Sequence, residues 1–404
     1  MPSSIPLARL AWRNIWRNTR RTLLTLAGIV FGVFFAVLTT GLADATYGDM
    51  INYAAKMGVG HVSIEHEQFI EAPSLEHTVQ IDEALQTATR EDARVAHVSR
   101  RISGAVLVAT ADGNQGVSMM AIDPANEGEE TLLFLDEISE GALFARANDR
   151  SVTLGSALAQ SLGVGLKNKV VVTATSKSGD IVTAMYRVSG LITTGAPSID
   201  RGLIILPLAA AQDLLGYEPD EVTAAAVYLH DHRDAEAVTQ RLAGLTDAPS
   251  VAVDWKQSQP ELASFISMKE VSGVIVQALV MVMLAAGIFN TIFVSVMERR
   301  HEFGVLRAIG FSPTEIFRMV TWESFWIACA GLLASALLVT FPYLKIAESG
   351  LDYSKLIEPG MEVSGVAMDP IMSIGIYPVN LLIIIAVVFL GTMTAGLIPA
   401  WRAS

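Results

Sequence analysis

Three histidines, His61, His66 and His77, fall among Glu65, Glu67, Glu71 and Glu76, and His230-Asp231-His232 makes a second close pair. Imidazole and carboxylate groups are common ligands for zinc, so metal binding is the first chemistry to weigh. Neither stretch has a usual ligand spacing. Both read as solvated surface groups, and no metal site is expected. Other chemistries are closed off by what is missing. No Gly-Lys dipeptide occurs, so there is no Walker A loop to cradle a nucleotide. GxSxG and HExxH are absent, and Cys329 is the single cysteine, which excludes an intrachain disulfide and a thiolate cluster. Any work this protein does must draw its energy from a partner.

The remaining concentration of charge is Met297 to Val320, MERRHEFGVLRAIGFSPTEIFRMV. It lies between two runs free of charge, Val271 to Met297 and Ser324 to Leu344. A bilayer core about 30 Å thick takes roughly 20 apolar helical residues, so both flanks can span it. Arg299, Arg300, Arg307 and Arg318 put the segment between them on the cytoplasmic side. Phe303, Leu306 and Ile309 recur at helical spacing, with Val305 beside them, and predict a short amphipathic helix. Gly310 suits the left-handed residue that ends a helix. Ser312-Pro313-Thr314-Glu315 then reads as a capping box with proline at the first helical position. Helix, stop and capped restart make a rigid elbow.

These residues, ERRHEFGVLRAIGFSPTEIFRMV, closely resemble the signature of the FtsX-like ABC transporter permeases, which include macrolide-exporter and lipoprotein-release permeases. The resemblance implies that the first half is a coupling helix docked on an ATPase. It assigns that role to Glu298, Arg299, Arg300, Glu302, Phe303, Val305, Leu306, Arg307, Ile309 and Gly310. The likeness extends to four spans with a large extracytoplasmic domain after the first, and so to nearly the whole chain.

The elements that position the elbow follow from the rest of the chain. Mean hydropathy of +0.44 and 51% apolar content over 404 residues describe an integral membrane protein with chain left for a folded domain. Residues 1–21 carry five arginines and no acid, whereas 44–270 carry 16 basic and 32 acidic residues. That contrast argues against nucleic-acid binding and for an acidic domain outside the cytoplasmic membrane. Residues 1–21 read as an amphipathic cytoplasmic helix, with Arg9, Arg13, Arg17 and Arg20 or Arg21 as a stripe at an anionic membrane surface. Residues 22–43 read as an uncleaved first transmembrane helix in which Gly28 and Gly32 form a GxxxG packing motif.

Residues 44–268 alternate short strands and helices, an α+β pattern of one large or two small domains. Expected hairpins flank Ala111 to Asn114 and Lys177 to Asp180, with helices at Gly155 to Leu162, Pro207 to Leu215 and Ala235 to Ala243. The order ARANDRSVTLGSALAQSLGV, a hairpin, then GLIILPLAAAQDLLGY resembles the periplasmic domain of the same family, which implies two subdomains, one inserted in the other. The remaining divisions are a second span at 269–297, the elbow at 298–312, a third span at 313–344, an external loop at 345–377 broken by Pro359-Gly360, and a fourth span at 378–400. Asn290 reads as interhelical glue, and Glu323 as a carboxylate snorkelling to the interface. Relatives run on past a PAWRAS ending like the one at which this chain stops.

The expected fold is thus an α-helical membrane protein of four spans with a large α+β domain between spans one and two. The expected function is that of a permease subunit, not an enzyme. It would couple ATP hydrolysis by a partner ATPase dimer to lipoprotein release or to peptide or drug export. ATP and magnesium would sit on that partner, and no cofactor is expected on this chain. A second permease subunit, alike or related, would complete the assembly in a bacterial inner membrane. A periplasmic chaperone or outer-membrane protein is a further expected partner. A transmembrane regulator that activates cell-wall hydrolases, as in the cell-division branch of the family, is the alternative, and a membrane sensor without an ATPase a third reading.

Overall fold

The computed structural model describes residues 7–128, 130–352, 362–363, 366–367 and 371–403. The chain divides into a helical unit, residues 1–47, 267–356 and 370–404, and an inserted domain, residues 48–266 with 357–369. Six helices build or enter the helical unit. They are α1 (Leu7–Ile15), α2 (Thr19–Ala54), α3 (Pro260–Glu298), α4 (Arg300–Ala308), α5 (Pro313–Ser349) and α6 (Pro378–Ala403). A 3₁₀ turn at Trp16–Asn18 separates α1 from α2. Among the described residues, four stretches are long and apolar enough to cross a membrane: Leu7–Val59, Pro260–Glu298, Pro313–Ser349 and Pro378–Ala403.

The helices outrun the apolar runs that announce them. The first span was expected to end at Ala43, but α2 continues to Ala54 and through one π turn to Val59. Similarly, α3 begins at Pro260 and α5 runs on to Ser349. Apolarity marks only the part that meets lipid, whereas backbone hydrogen bonding carries a helix further. Pro359-Gly360 lies outside the described residues.

Ile29, Val33, Ile288, Ile292, Ile316, Val320, Ile327 and Val388 form the apolar core of the helical unit. Close helix approach depends on glycine, though not on the expected pair. A Cβ on Gly32 would overlap Leu284 of α3, whereas one on Gly28 would meet nothing. Gly331 against Ile29 and Gly396 against Ser324 supply the other close approaches. Asn290 is exposed and bonds no neighbouring helix among the described residues, because its side of α3 is free. Asp44 of α2 does an unforeseen job. Its carboxylate accepts the Tyr377 N–H at 3.0 Å and the Asn380 Nδ2 at 2.8 and 2.9 Å, serving the start of α6 as a cap supplied from another helix.

The inserted domain is α+β. Its ten main strands are β1 (Val62–His66), β2 (Val95–Ala109), β3 (Asn114–Ile122), β4 (Ile138–Gly141), β5 (Ser151–Gly155), β6 (Lys169–Thr175), β7 (Ile181–Ile192), β8 (Leu203–Pro207), β9 (Ala224–Leu229) and β10 (Ser250–Asp254). They form one sheet in the order β10-β1-β9-β2-β3-β8-β5-β7-β4, with β6 joining β2 to β7. The fifteen-residue β2 pairs through its first half with β9 and through its second with β3 and β6. The two expected hairpins are β2–β3 and β6–β7.

A buried ion pair ties this sheet to the end of α2. Arg101 on β2 donates to Glu127 at 2.9 and 2.6 Å and to the Gly58 carbonyl at 2.5 Å, while Thr131 donates to Glu127 at 2.5 Å. Both charged side chains are about 1% exposed, so each depends on the other for solvation it no longer gets from water. Gly58 adopts φ 124°, a value that side chains resist.

Candidate functional site

The elbow is built as its residues suggest. Gly310 has φ 104°; its N–H donates to the Arg307 carbonyl at 3.1 Å, and the Phe311 N–H donates to the Leu306 carbonyl at 3.0 Å. That pair of bonds is a Schellman stop, satisfying two carbonyls that α4 would otherwise leave open. Ser312 and Glu315 then cap α5 reciprocally: the Ser312 N–H donates to Glu315 at 2.7 Å and the Glu315 N–H to the Ser312 hydroxyl at 3.3 Å. With Pro313 fixing φ at the first turn, the corner has little freedom.

What the two faces of α4 touch differs from expectation. Phe303 is 4% exposed and packs with the core of the helical unit, and Leu306 and Phe311 pack against the same cluster. Val305 and Ile309, at 50% and 69% exposure, point outward with Ala308 and Gly304. Of the apolar side expected to face a partner, Phe303, Leu306 and Ile309, the first two therefore anchor α4 to its own chain and Ile309 faces outward. The outward apolar pair is Val305 and Ile309.

Charges complete the anchorage. Glu323, expected to snorkel, is 6% exposed. Its Oε1 accepts Arg299 Nη1 at 2.9 Å and Asn14 Nδ2 at 2.8 Å. Snorkelling is unnecessary because the carboxylate finds a cation and an amide within the protein, the usual condition for burying a charge. Arg299 also reaches Glu302 at 3.1 Å and lies over the Phe303 ring at 5.4 Å. Burial opposes its charge, yet Glu323 and Glu302 together raise its pKa. Glu302, held below its ordinary range by Arg299 first and Arg17 next, pairs with Arg17 at 2.8 Å. Arg21 pairs with Glu298 at 2.8 Å. Arg300 and Arg307 are exposed on α4.

The N-terminal arginines thus do not form one stripe. Arg17 and Arg21 turn to the elbow, whereas Arg9, Arg13 and Arg20 are exposed and have no ion-pair partner among the described residues. Helix α1 lies against α5: Trp326 Nε1 donates to the Ala8 carbonyl at 2.9 Å, and the Trp12 and Trp326 rings meet edge to face at 5.2 Å. Spacing alone could not find Asn14 and Glu323, which are 309 residues apart.

The histidines expected to be solvated fall in different settings. His61, expected to be solvated, is buried; Asn52 and the Leu229 N–H occupy its two nitrogens at 2.9 and 3.0 Å, and burial lowers its pKa to about 4. His66 and His77 stack at 5.0 Å, and no cluster of three ligands occurs among the described residues. A cleft of about 500 Å³ in the inserted domain is lined by Ala54, Met57, Met120, Phe134, Ile199, Leu203 and Leu262, with Glu261 its single charge. One exposed carboxylate gives no acid–base pair there.

Four candidate spans, a large domain inserted after the first and a capped elbow before the third define an α-helical integral membrane protein. Two family models match it: the MacB-like periplasmic core domain over residues 22–245 and the FtsX-like permease C-terminal region over residues 274–404. The chain belongs to the FtsX-like ABC transporter permease family. It is 28% identical over 329 residues to the lipoprotein-releasing system transmembrane protein LolC of Xylella fastidiosa (strain Temecula1 / ATCC 700964), with 78% of this chain and 76% of that one covered. It is 24% identical over 341 residues to the pyoverdine export ATP-binding/permease protein PvdT of Pseudomonas entomophila (strain L48), with 81% of this chain and 50% of that one covered. The periplasmic region of MacB from Actinobacillus actinomycetemcomitans aligns at TM-score 0.36 and 10% identity, over 55% of this chain and 98% of that one.

Proposed function

We propose that the chain is a permease subunit of a bacterial inner-membrane ABC system, driven through its elbow by a separate ATPase and acting on a lipoprotein, peptide or amphipathic drug outside the membrane. The observation that carries this is the two-sidedness of α4. Val305 and Ile309 offer a groove-filling apolar pair, and interface anchors of that kind dominate association energy. Phe303, Leu306 and Arg299 lock the opposite side to α1 and α5. A push received on Val305 and Ile309 would reach both helices at once instead of bending a loop. ATP and magnesium belong to the partner, since this chain has no phosphate loop. Two permease subunits, alike or related, would clasp two ATPases. Resemblance to LolC over three quarters of both chains supports lipoprotein release, and resemblance to PvdT supports export.

The test is a pair of opposite variants in the permease–ATPase complex. Val305→Asp/Ile309→Asp is expected to cut ATPase co-purification and stimulated turnover by about tenfold or more, with thermal stability unchanged, because both residues are exposed in the free chain. Phe303→Ala is expected to do the reverse, costing about 3–5 kcal/mol of stability through the cavity it opens. Full ATPase binding by the double aspartate variant would end the coupling assignment.

A further inference from the structure

The outward side of the first two helices is one uninterrupted surface. Arg9, Trp12, Arg13, Trp16, Arg20, Leu23, Leu24, Ala27 and Phe31 are all exposed, and they recur at intervals of one, three and four residues. The buried positions Ala11, Ile15, Thr22, Leu26 and Ile29 lie on the other side, against the rest of the unit. Along this surface the chemistry changes once. Leu23, Leu24 and Phe31, at 57, 68 and 65% exposure, belong to the apolar span and can face only acyl chains or another apolar partner. Immediately before them come Arg20, Trp16 and Arg13.

From Arg13 to Arg20 is about 10 Å of helix, and the headgroup layer on each side of the bilayer core is roughly 5–8 Å deep. Arginine stems reach several ångströms further and tryptophan favours this depth. No acid lies in residues 1–21, and Glu302 and Glu298 take up only Arg17 and Arg21. Arg13 and Arg20 therefore stand without an ion-pair partner among the described residues, beside an indole at headgroup depth.

We propose that Arg13, Trp16 and Arg20 bind the anionic headgroup of an inner-leaflet phospholipid whose acyl chain lies along Leu23, Leu24 and Phe31. Charge complementarity names the occupant, and continuity with the acyl-facing residues favours a lipid over a protein. Because α1 also presents Asn14 to Glu323, this lipid would brace the helix that holds the elbow. The binding site itself does not depend on the permease reading.

The test uses the full chain in phosphatidylcholine vesicles containing a trace of spin-labelled phosphatidylglycerol or spin-labelled phosphatidylcholine. Each arginine near the surface is worth about fivefold in attraction to anionic lipid. Wild type should immobilise the labelled phosphatidylglycerol several-fold more than the choline lipid, and Arg13→Gln/Arg20→Gln should lose most of that preference while melting like wild type. Arg318→Gln serves as the comparison and should keep it. Equal preference in wild type and Arg13→Gln/Arg20→Gln would overturn the proposal. So would a loss of ATPase binding by that variant in pure phosphatidylcholine nanodiscs, which would make the face a protein contact.

Discussion

Replacing Arg299 by methionine should damage the helical unit more than replacing both Arg299 and its partner. Arg299 is the sole cation bonded to Glu323 among the described residues, and the two side chains are 16% and 8% exposed. Without Arg299, the Glu323 carboxylate keeps only the Asn14 amide at 2.8 Å. Removing one partner of a buried pair costs about 3–5 kcal/mol, because the other charge is left without solvation. Arg299→Met/Glu323→Leu leaves no stranded charge and should recover about 2–3 kcal/mol of that loss. For a unit of this size 1 kcal/mol moves the melting temperature by about 2–4 °C, so the single variant should melt roughly 6–20 °C below wild type. Cys329, on α5 and partly buried, reports unfolding through a thiol-reactive dye without further engineering. If the double variant melts lower than Arg299→Met by the full cost of Glu323→Leu, the two sites are independent and the clamp reasoning fails.

Two other outcomes are expected. Gly310→Val should destabilise the elbow by about 1–3 kcal/mol, since φ 104° is strained for a β-branched residue although its Cβ would meet no neighbour. Gly310→Asn should be milder, and equal melting of both variants would show that the turn does not require the left-handed conformation. Burial raises the Glu65 pKa from 4.5 to about 7, so the folded protein keeps a proton there that the unfolded chain releases near 4.5. Stability should therefore fall as pH rises through that interval, and Glu65→Gln should match wild type near pH 4.5 but exceed it by about 3 kcal/mol above pH 7; a pH-independent effect in thermal melts would refute the assignment.

Much of the architecture was legible because it follows local rules. Charge-free runs announce spans through length alone. Gly310 and Ser312 to Glu315 announce the elbow because caps act within a few residues of sequence. The β2–β3 and β6–β7 hairpins are read from β-rich runs and turn residues. The burial of Arg101 was not legible. An arginine among alternating strand residues looks solvated until Glu127 and the Gly58 carbonyl are brought to it by the sheet and the end of α2.

The misreading of α4 has the same cause and bears on how its function should be probed. Its sequence places Phe303, Leu306 and Ile309 at helical spacing with Val305 beside them, whereas the structure turns Phe303 and Leu306 inward and leaves Val305 and the C-cap Ile309 outside. Helical periodicity can identify the apolar residues but cannot choose which of them face solvent, because the choice rests on contacts far away in the chain. The decisive contacts are Asn14 with Glu323 and Trp326 with the Ala8 carbonyl, which bring α1 against α5 beside the buried Arg299. Once Arg299 is held there, its cation lies over the Phe303 ring and that ring turns inward. Val305 and Ile309 are then left outside. An aspartate at Leu306 would accordingly strike the protein's own core first. Lost ATPase binding in such a variant would report unfolding as readily as uncoupling, which is why the outward pair, and not Leu306, separates the two.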